Sequence, residues 1–393
     1  MPSSPSAASA IPVARRVNSF SYAIRNIVAE ARKVEATGRS VRYLNIGDPI
    51  AAGFSTPPHL IEAVSRAMRL GQNGYTPSPG ILEAREAVAD DFSARGFPVD
   101  PDRVLLTTGT SEGIEITLNA LVDPDDEVLV PVPTYPLYTA VVAKIGAKSV
   151  FYRTDPDNGW QPDLDHIRSL ITDRTRALVL IDPNNPTGAV YPRETKIAII
   201  ELAEQHGITI LSDEVYGDLA YAGPVEPLGS HAPDAAIVAY SSLSKAYLAP
   251  GWRGGWMAVG RSKRLDPALA AIKKLADGRL CSPGPVQHAI TAALLERAQL
   301  TADRLNAIPG MRCVMPQGAF YAMPQVTLPP GRTDEDFVLG LLRDTGVLVV
   351  YGSGFGCDPA AGTFRVVFLP RPEELSRIYD DIADFTGRYL AAA

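Results

Sequence analysis

Short apolar runs alternate along this chain with longer stretches whose apolar residues recur at helical spacing. Val104-Leu105-Leu106 leads into a helical pattern over residues 111–121, and Glu127-Val128-Leu129-Val130 into one over 138–145. Ala177-Leu178-Val179-Leu180-Ile181 precedes a helical pattern over 193–206, and Ile208-Thr209-Ile210-Leu211 and Ile237-Val238-Ala239-Tyr240 follow. Strand runs alternating with helices predict an α/β domain with a mostly parallel sheet. In such sheets ligands gather at the carboxyl ends of the strands, and a polar cluster directly follows each of several of these runs. From about residue 304 the pattern changes. Strand-like runs at 318–323, 347–350 and 363–369 and helical patterns over 334–344 and 372–390 predict a smaller α+β domain, joined by an N-terminal helix over 22–37.

Composition narrows the class. The 393 residues, 46% hydrophobic and 21% charged, suit a soluble protein of two domains or one large one. A net charge of -7 argues against nucleic acid or an anionic membrane as partner, and Lys273-Lys274 reads as a solvated helix face. The three cysteines, Cys281, Cys313 and Cys357, have neither a disulfide framework's spacing nor a zinc site's, so no metal and a reducing cytoplasm are expected. Residues 1–14 read as a disordered tail rich in Ser, Ala and Pro. Arg15-Arg16 is followed by charged residues rather than an apolar export region, and the longest apolar runs are strand-sized, too short to span a membrane.

Four clusters carry candidate chemistry. In Tyr240-Ser241-Ser242-Leu243-Ser244-Lys245, followed by Gly251-Trp252-Arg253-Gly254, a lysine ends a buried strand among small hydroxyls, where its amine suits a nucleophile better than a solvated cation. Asp213, in Leu211-Ser212-Asp213-Glu214-Val215-Tyr216, also ends a strand run and points its carboxylate into the cleft; its neighbour Glu214 reads as supporting or exposed. Asp182-Pro183-Asn184-Asn185-Pro186-Thr187-Gly188 makes a rigid turn from which Asn185 could offer its amide to a ligand oxygen. Thr107-Thr108-Gly109-Thr110-Ser111-Glu112-Gly113 joins a strand to a helix whose first N–H groups make an anion site. Gly352-Ser353-Gly354-Phe355-Gly356 lacks dinucleotide spacing and reads as a loop.

Together the clusters resemble the class I/II aminotransferases, the fold type I pyridoxal-phosphate (PLP) enzymes, from about Val17 to the C-terminus. The resemblance implies a PLP-binding large domain over residues 48–299, a small C-terminal domain over 300–393, and residues 15–47 as a helix and strand joining the small one. It implies Lys245 as the Schiff-base lysine and proton shuttle, Asp213 as partner of the pyridinium nitrogen, and Tyr216 and Asn185 as hydrogen-bonders of the ring's phenolic oxygen. Arg253, Ser242 and the backbone at Thr110-Ser111 would hold the phosphate, and Tyr135 would stack on the ring. Tyr75 would reach a phosphate across the interface of a homodimer with shared sites. Arg365, whose planar fork suits bidentate carboxylate binding, would clamp the substrate α-carboxylate, and Gly47 would meet substrate through its backbone.

Within the family the chain is most similar to bacterial alanine aminotransferases, through Leu44-Asn45-Ile46-Gly47-Asp48-Pro49, residues 130–138, and Arg279-Leu280-Cys281 with Pro285-Val286-Gln287-His288. That likeness implies an amino acid and a 2-oxo acid as substrates, alanine with 2-oxoglutarate favoured. The one positive residue near the place where aspartate aminotransferases grip a second carboxylate is Arg279. A departure follows Leu294-Leu295-Glu296-Arg297, where the family carries roughly one more helix. The rivals are a PLP lyase, a racemase or a transaminase for another neutral or aromatic amino acid. A further rival is an aminotransferase-like sensor domain of a regulator, for whose basic DNA-binding part residues 1–20 hold too little chain.

Overall fold

Eight strands form the central sheet, in the order Val104–Thr108, Gly254–Val259, Ile237–Ser242, Thr209–Asp213, Thr175–Ile181, Glu127–Val132, Lys148–Asp155 and Gln161–Pro162. The five strands from Ile237–Ser242 to Lys148–Asp155 pair in parallel, whereas Gly254–Val259 runs antiparallel to both its neighbours and Gln161–Pro162 closes the far edge antiparallel. The architecture is seen in a computed structural model, which describes residues 11, 13, 14, 16, 23–56, 58–221, 225–283, 301–316, 321–368 and 372–391. Most of the expected tail, residues 318–320 of one expected strand, residue 369 of another and residues 295–300 of the shortened stretch lie outside them.

The apolar runs lack a polar face because both faces of this sheet are covered. Alternate residues feed two cores: Val128, Val130, Val179, Ile181, Leu211 and Val238 pack on one side, Leu129, Leu178, Leu180, Ile210, Ile237 and Ala239 on the other. All six residues of Ile237–Ser242 are buried. The helices Thr110–Leu121, Pro136–Ile145 and Asp266–Asp277 belong to the first core and Arg193–His206 to the second. Pro136 opens its helix at a position where a missing N–H costs nothing, and Gly146, at φ 88°, closes it in the left-handed conformation.

In the C-terminal part, Tyr321–Ala322 and Val350–Tyr351 flank Phe364–Val367 in an antiparallel sheet. The helices Ala23–Glu35, Asp334–Thr345 and Pro372–Ala391 lie near it. Asp334–Thr345 starts with a capping box between Thr333 and Asp336 and buries Phe337 against Phe364, Phe385 and Tyr389. The strand expected over 347–350 is two pieces: Val347–Leu348 pairs with Arg42–Tyr43, and Val350–Tyr351 with Phe364–Val367, so the ladder breaks at Val349 where the partner changes. Within the expected loop, Gly352–Phe355 winds into a 3-10 turn. Among the described residues no helix is long and apolar enough to cross a membrane, no metal-ligand cluster forms, and the three cysteines are free.

Candidate active site

Five strands end at one cavity. Past the carboxyl ends of Val104–Thr108, Glu127–Val132, Thr175–Ile181, Thr209–Asp213 and Ile237–Ser242 the chain presents Thr110 and Ser111, Tyr135, Asn185, Asp213 and Tyr216, and Ser242 and Lys245. With Gly47, Arg253 and Arg365 these residues line a space of about 270 Å³. Tyr75 does not; it stands 86% exposed on the single chain.

Asp213 closes its strand at the cavity floor, 3% exposed. Its Oδ2 accepts from Tyr138 Oη at 3.1 Å and its Oδ1 from Val215 N at 3.4 Å. Neither partner is a cation, and burial pushes the carboxyl up to about 6. Such a group gains most from a cationic N–H presented in the cavity. Of the two positions expected for Glu214, supporting or exposed, the structure shows the buried, supporting one. Its carboxylate takes Ser212 Oγ at 2.8 Å and Leu228 N at 2.9 Å, and burial pushes it up to about 7.

Lys245 Nζ donates to Gly47 O at 2.6 Å, which draws the loop before Asp48 against the lysine. On the other side lies a cradle for an anion. Gly109, at φ 73°, caps the helix Thr110–Leu121, and a Cβ on it would stand 2.1 Å from Arg253 Nη2. Arg253 itself is left-handed at φ 54°, and its guanidinium donates to Pro250 O at 3.1 Å and Thr108 O at 3.3 Å. The Ser242 hydroxyl takes Ser244 N at 3.3 Å. A helix N-terminus, a guanidinium and hydroxyls thus face one end of the cavity.

At the other end Arg365 is 2% exposed. Its Nη1 donates to Asn185 Oδ1 at 3.0 Å and its Nη2 to Asn45 O at 2.7 Å, with the Tyr321 ring 4.5 Å and the Phe355 ring 4.8 Å from the guanidinium carbon. Asn185 therefore spends its carbonyl on the arginine, a use the sequence reading did not foresee. Its turn rests on a buried ion pair, Lys196 Nζ to Asp182 Oδ2 at 2.5 Å, and on Asn184 Oδ1, which accepts from Thr187 N and Oγ1. Tyr216 Oη meets Tyr321 Oη at 2.9 Å, and burial pushes the Tyr216 phenol well above its ordinary range.

Three contributors escaped the sequence reading: Tyr138, Tyr321 and Phe355. The first lies in the first turn of the helix Pro136–Ile145, just past its cap Tyr135, and that nearness in the chain could have signalled it. Arg279, by contrast, is not at the cavity; it binds Leu106 O at 2.7 Å and pairs with Glu112 at 3.2 Å.

Residues 40–382 match the sequence profile of the family described as aminotransferase class I and II. The alanine aminotransferase of Mycobacterium tuberculosis is 39% identical over 391 residues, covering 94% of this chain and 91% of that protein. The glutamate-pyruvate aminotransferase of Escherichia coli is 36% identical over 406 residues, covering 97% and 99%. Among solved structures, an alanine aminotransferase from Pyrococcus furiosus matches with a TM-score of 0.92 at 40% identity, covering 96% of this chain and 100% of that one.

Proposed function

The chain belongs to the class I and II aminotransferases, which are PLP enzymes, and from that premise we propose that it moves an amino group from alanine to 2-oxoglutarate in a ping-pong cycle, as a cytoplasmic homodimer. The observation that carries the reading is the convergence of Lys245, Asp213, Arg253 and Arg365 on one cavity. The residues present fit the cofactor. A buried carboxylate with neutral partners suits a ring N–H, and the Gly109 cradle beside Arg253 suits a phosphate. When bound, PLP supplies an electron sink for the bond broken at the substrate's α-carbon.

The chain's own residues do the rest. Asp213 would keep the ring nitrogen protonated, while Arg253, Ser242 and the Thr110 and Ser111 N–H groups would hold the phosphate. Tyr135 would cover the ring face, and Tyr216 and Asn185 would bind the phenolic oxygen. Lys245 would supply the amine that holds the aldehyde and then carry the proton at the α-carbon. Arg365 would take the substrate carboxylate as a bidentate fork, steadied by Asn185 and the Asn45 carbonyl, with Gly47 presenting backbone to the same substrate. Tyr75, exposed on one chain, would complete the phosphate site of its partner. Borohydride reduction of the purified protein should fix the cofactor at Lys245, and a panel of donors and acceptors should rank alanine and 2-oxoglutarate first. Label recovered at another residue, or no bound PLP, refutes the reading.

A further inference from the structure

Glu112 stands in the first turn of the helix Thr110–Leu121, three residues past the cap Gly109. A carboxylate there suits the helix dipole, but it also competes with any other anion drawn to the same N–H groups. Here the competitor is turned away. Glu112 Oε2 reaches back to accept from Thr108 N at 2.7 Å, and Arg279 Nε lies 3.2 Å from the same oxygen. Arg279 is itself anchored, since its Nη2 donates to Leu106 O at 2.7 Å on the sheet's edge strand, while Leu106 N donates to Pro79 O at 2.8 Å. The two side chains are 16% and 23% exposed, so water screens the pair only in part.

We infer that Arg279 and Glu112 are positioning residues for the phosphate end of the cofactor. The arginine cancels the glutamate's charge, and the glutamate braces the Thr108 peptide so that the N–H groups of Thr110 and Ser111 stay turned to the cradle. Neither side chain lines the cavity. The inference rests on the PLP reading above and assigns Arg279 to the cofactor rather than to a substrate's distal carboxylate. Without Arg279 an uncompensated carboxylate would face a phosphate dianion at the same helix end.

The test compares the dissociation constants of the apoenzyme for PLP and for pyridoxal, which lacks the phosphate, by fluorescence quenching. In Arg279→Met the preference for PLP over pyridoxal should fall about tenfold, with pyridoxal affinity itself held within about twofold. Glu112→Gln should keep the preference, because its amide oxygen still accepts from Thr108 N, and the double variant should return to within about threefold of the parent. Equal weakening of both ligands in Arg279→Met, or a double variant no better than the single one, overturns the inference. Should Arg279→Met not fold, Arg279→Lys keeps the charge and should keep the preference within about threefold, and a tenfold loss there overturns it equally. A parent apoenzyme that does not prefer PLP to pyridoxal would instead refute the cofactor reading.

Discussion

Replacing Tyr138 with Phe isolates one hydrogen bond at the floor of the site. Tyr138 is fully buried within the apolar core beside the sheet, and Phe fills the same space less one oxygen. What goes is the phenol's donation to Asp213 Oδ2 at 3.1 Å. Hydrogen bonds to ionised groups contribute about 1.5–3 kcal/mol, and this one is long for an O–H donor, so about 1.5 kcal/mol is at stake. That corresponds to about one pH unit in the titration of Asp213. Burial disfavours the ionised carboxylate and the phenol favours it, and with both in place the group titrates at about 6. Without the phenol it titrates higher. The other ionisable groups about it are Tyr135 and Tyr240, with Lys245, Arg253 and Arg365 on the cavity wall.

In the proposed pairing, a cationic ring nitrogen would need the ionised form of Asp213. PLP affinity should therefore hold at neutral pH and fall as acid protonates the carboxylate, and in Tyr138→Phe that fall should begin about one pH unit higher. Apoenzyme titrations with PLP from about pH 5 to 8.5 read this directly, with Asp213→Asn as a reference lacking the limb. An unmoved limb, or a loss of affinity equal at every pH, would refute the argument.

Three further outcomes follow from the geometry. Asp213 and Glu214 titrate at about 6 and about 7 in the fold, above their ordinary range, so the stability they contribute is present in acid and lost as pH rises through those values; apoenzyme should melt higher at about pH 5.5 than at pH 8, and an equal slope in Glu214→Gln would rule that residue out. Lys196→Met leaves Asp182 buried without its ion-pair partner and should destabilise the fold by about 3–5 kcal/mol in urea melts; a loss under about 1 kcal/mol contradicts this. Arg365→Lys gives up the planar fork and should raise KM for amino acid and oxo acid together, so a rise for one alone would remove Arg365 from the proposed carboxylate site.

Much of this architecture is legible in the chain because strands buried on both faces leave continuous apolar runs, and the chemistry sits within a few residues of their ends. Lys245 follows the strand Ile237–Ser242 by three residues, and Asp213 ends its own. The gaps have physical causes. Tyr138 and Tyr321 carry the same apolar signal whether they only fill a core or also place a hydroxyl on a neighbour, and that difference exists only after distant elements pack. Glu214 shows the converse. Adjacency to Asp213 says nothing of its surroundings, because consecutive residues at a strand end point to opposite sides. Arg279 could be placed near the site from its position in the chain, but its pairing with Glu112 depends on how the segment after Asp266–Asp277 crosses the edge strand.

Charge placement decides which donor suits the cavity. The chain as a whole carries -7, yet the cavity wall reverses the sign, with Lys245, Arg253 and Arg365 against Asp213 alone. Each cation has a distinct place: Arg253 at the helix cradle, Arg365 between two rings on the far side, and Lys245 at the Gly47 carbonyl. In the proposed reading a phosphate and one α-carboxylate would account for both arginines and leave the reacting carbon to the lysine. Among the described residues no further cation lines the cavity, and Ile46, Leu137 and Tyr135 give it neutral walls. A second carboxylate on the donor would then lose water without a charged partner, at a cost of several kcal/mol. Alanine should therefore exceed aspartate in kcat/KM by at least about a hundredfold, the equivalent of about 2.7 kcal/mol. 2-Oxoglutarate, whose distal carboxylate reaches one carbon farther than that of aspartate, would need donors there from backbone or from the second subunit of the proposed dimer, so its KM should rise more than that of pyruvate when that dimer is weakened. Aspartate turning over as fast as alanine would overturn the donor assignment and leave the cofactor chemistry standing.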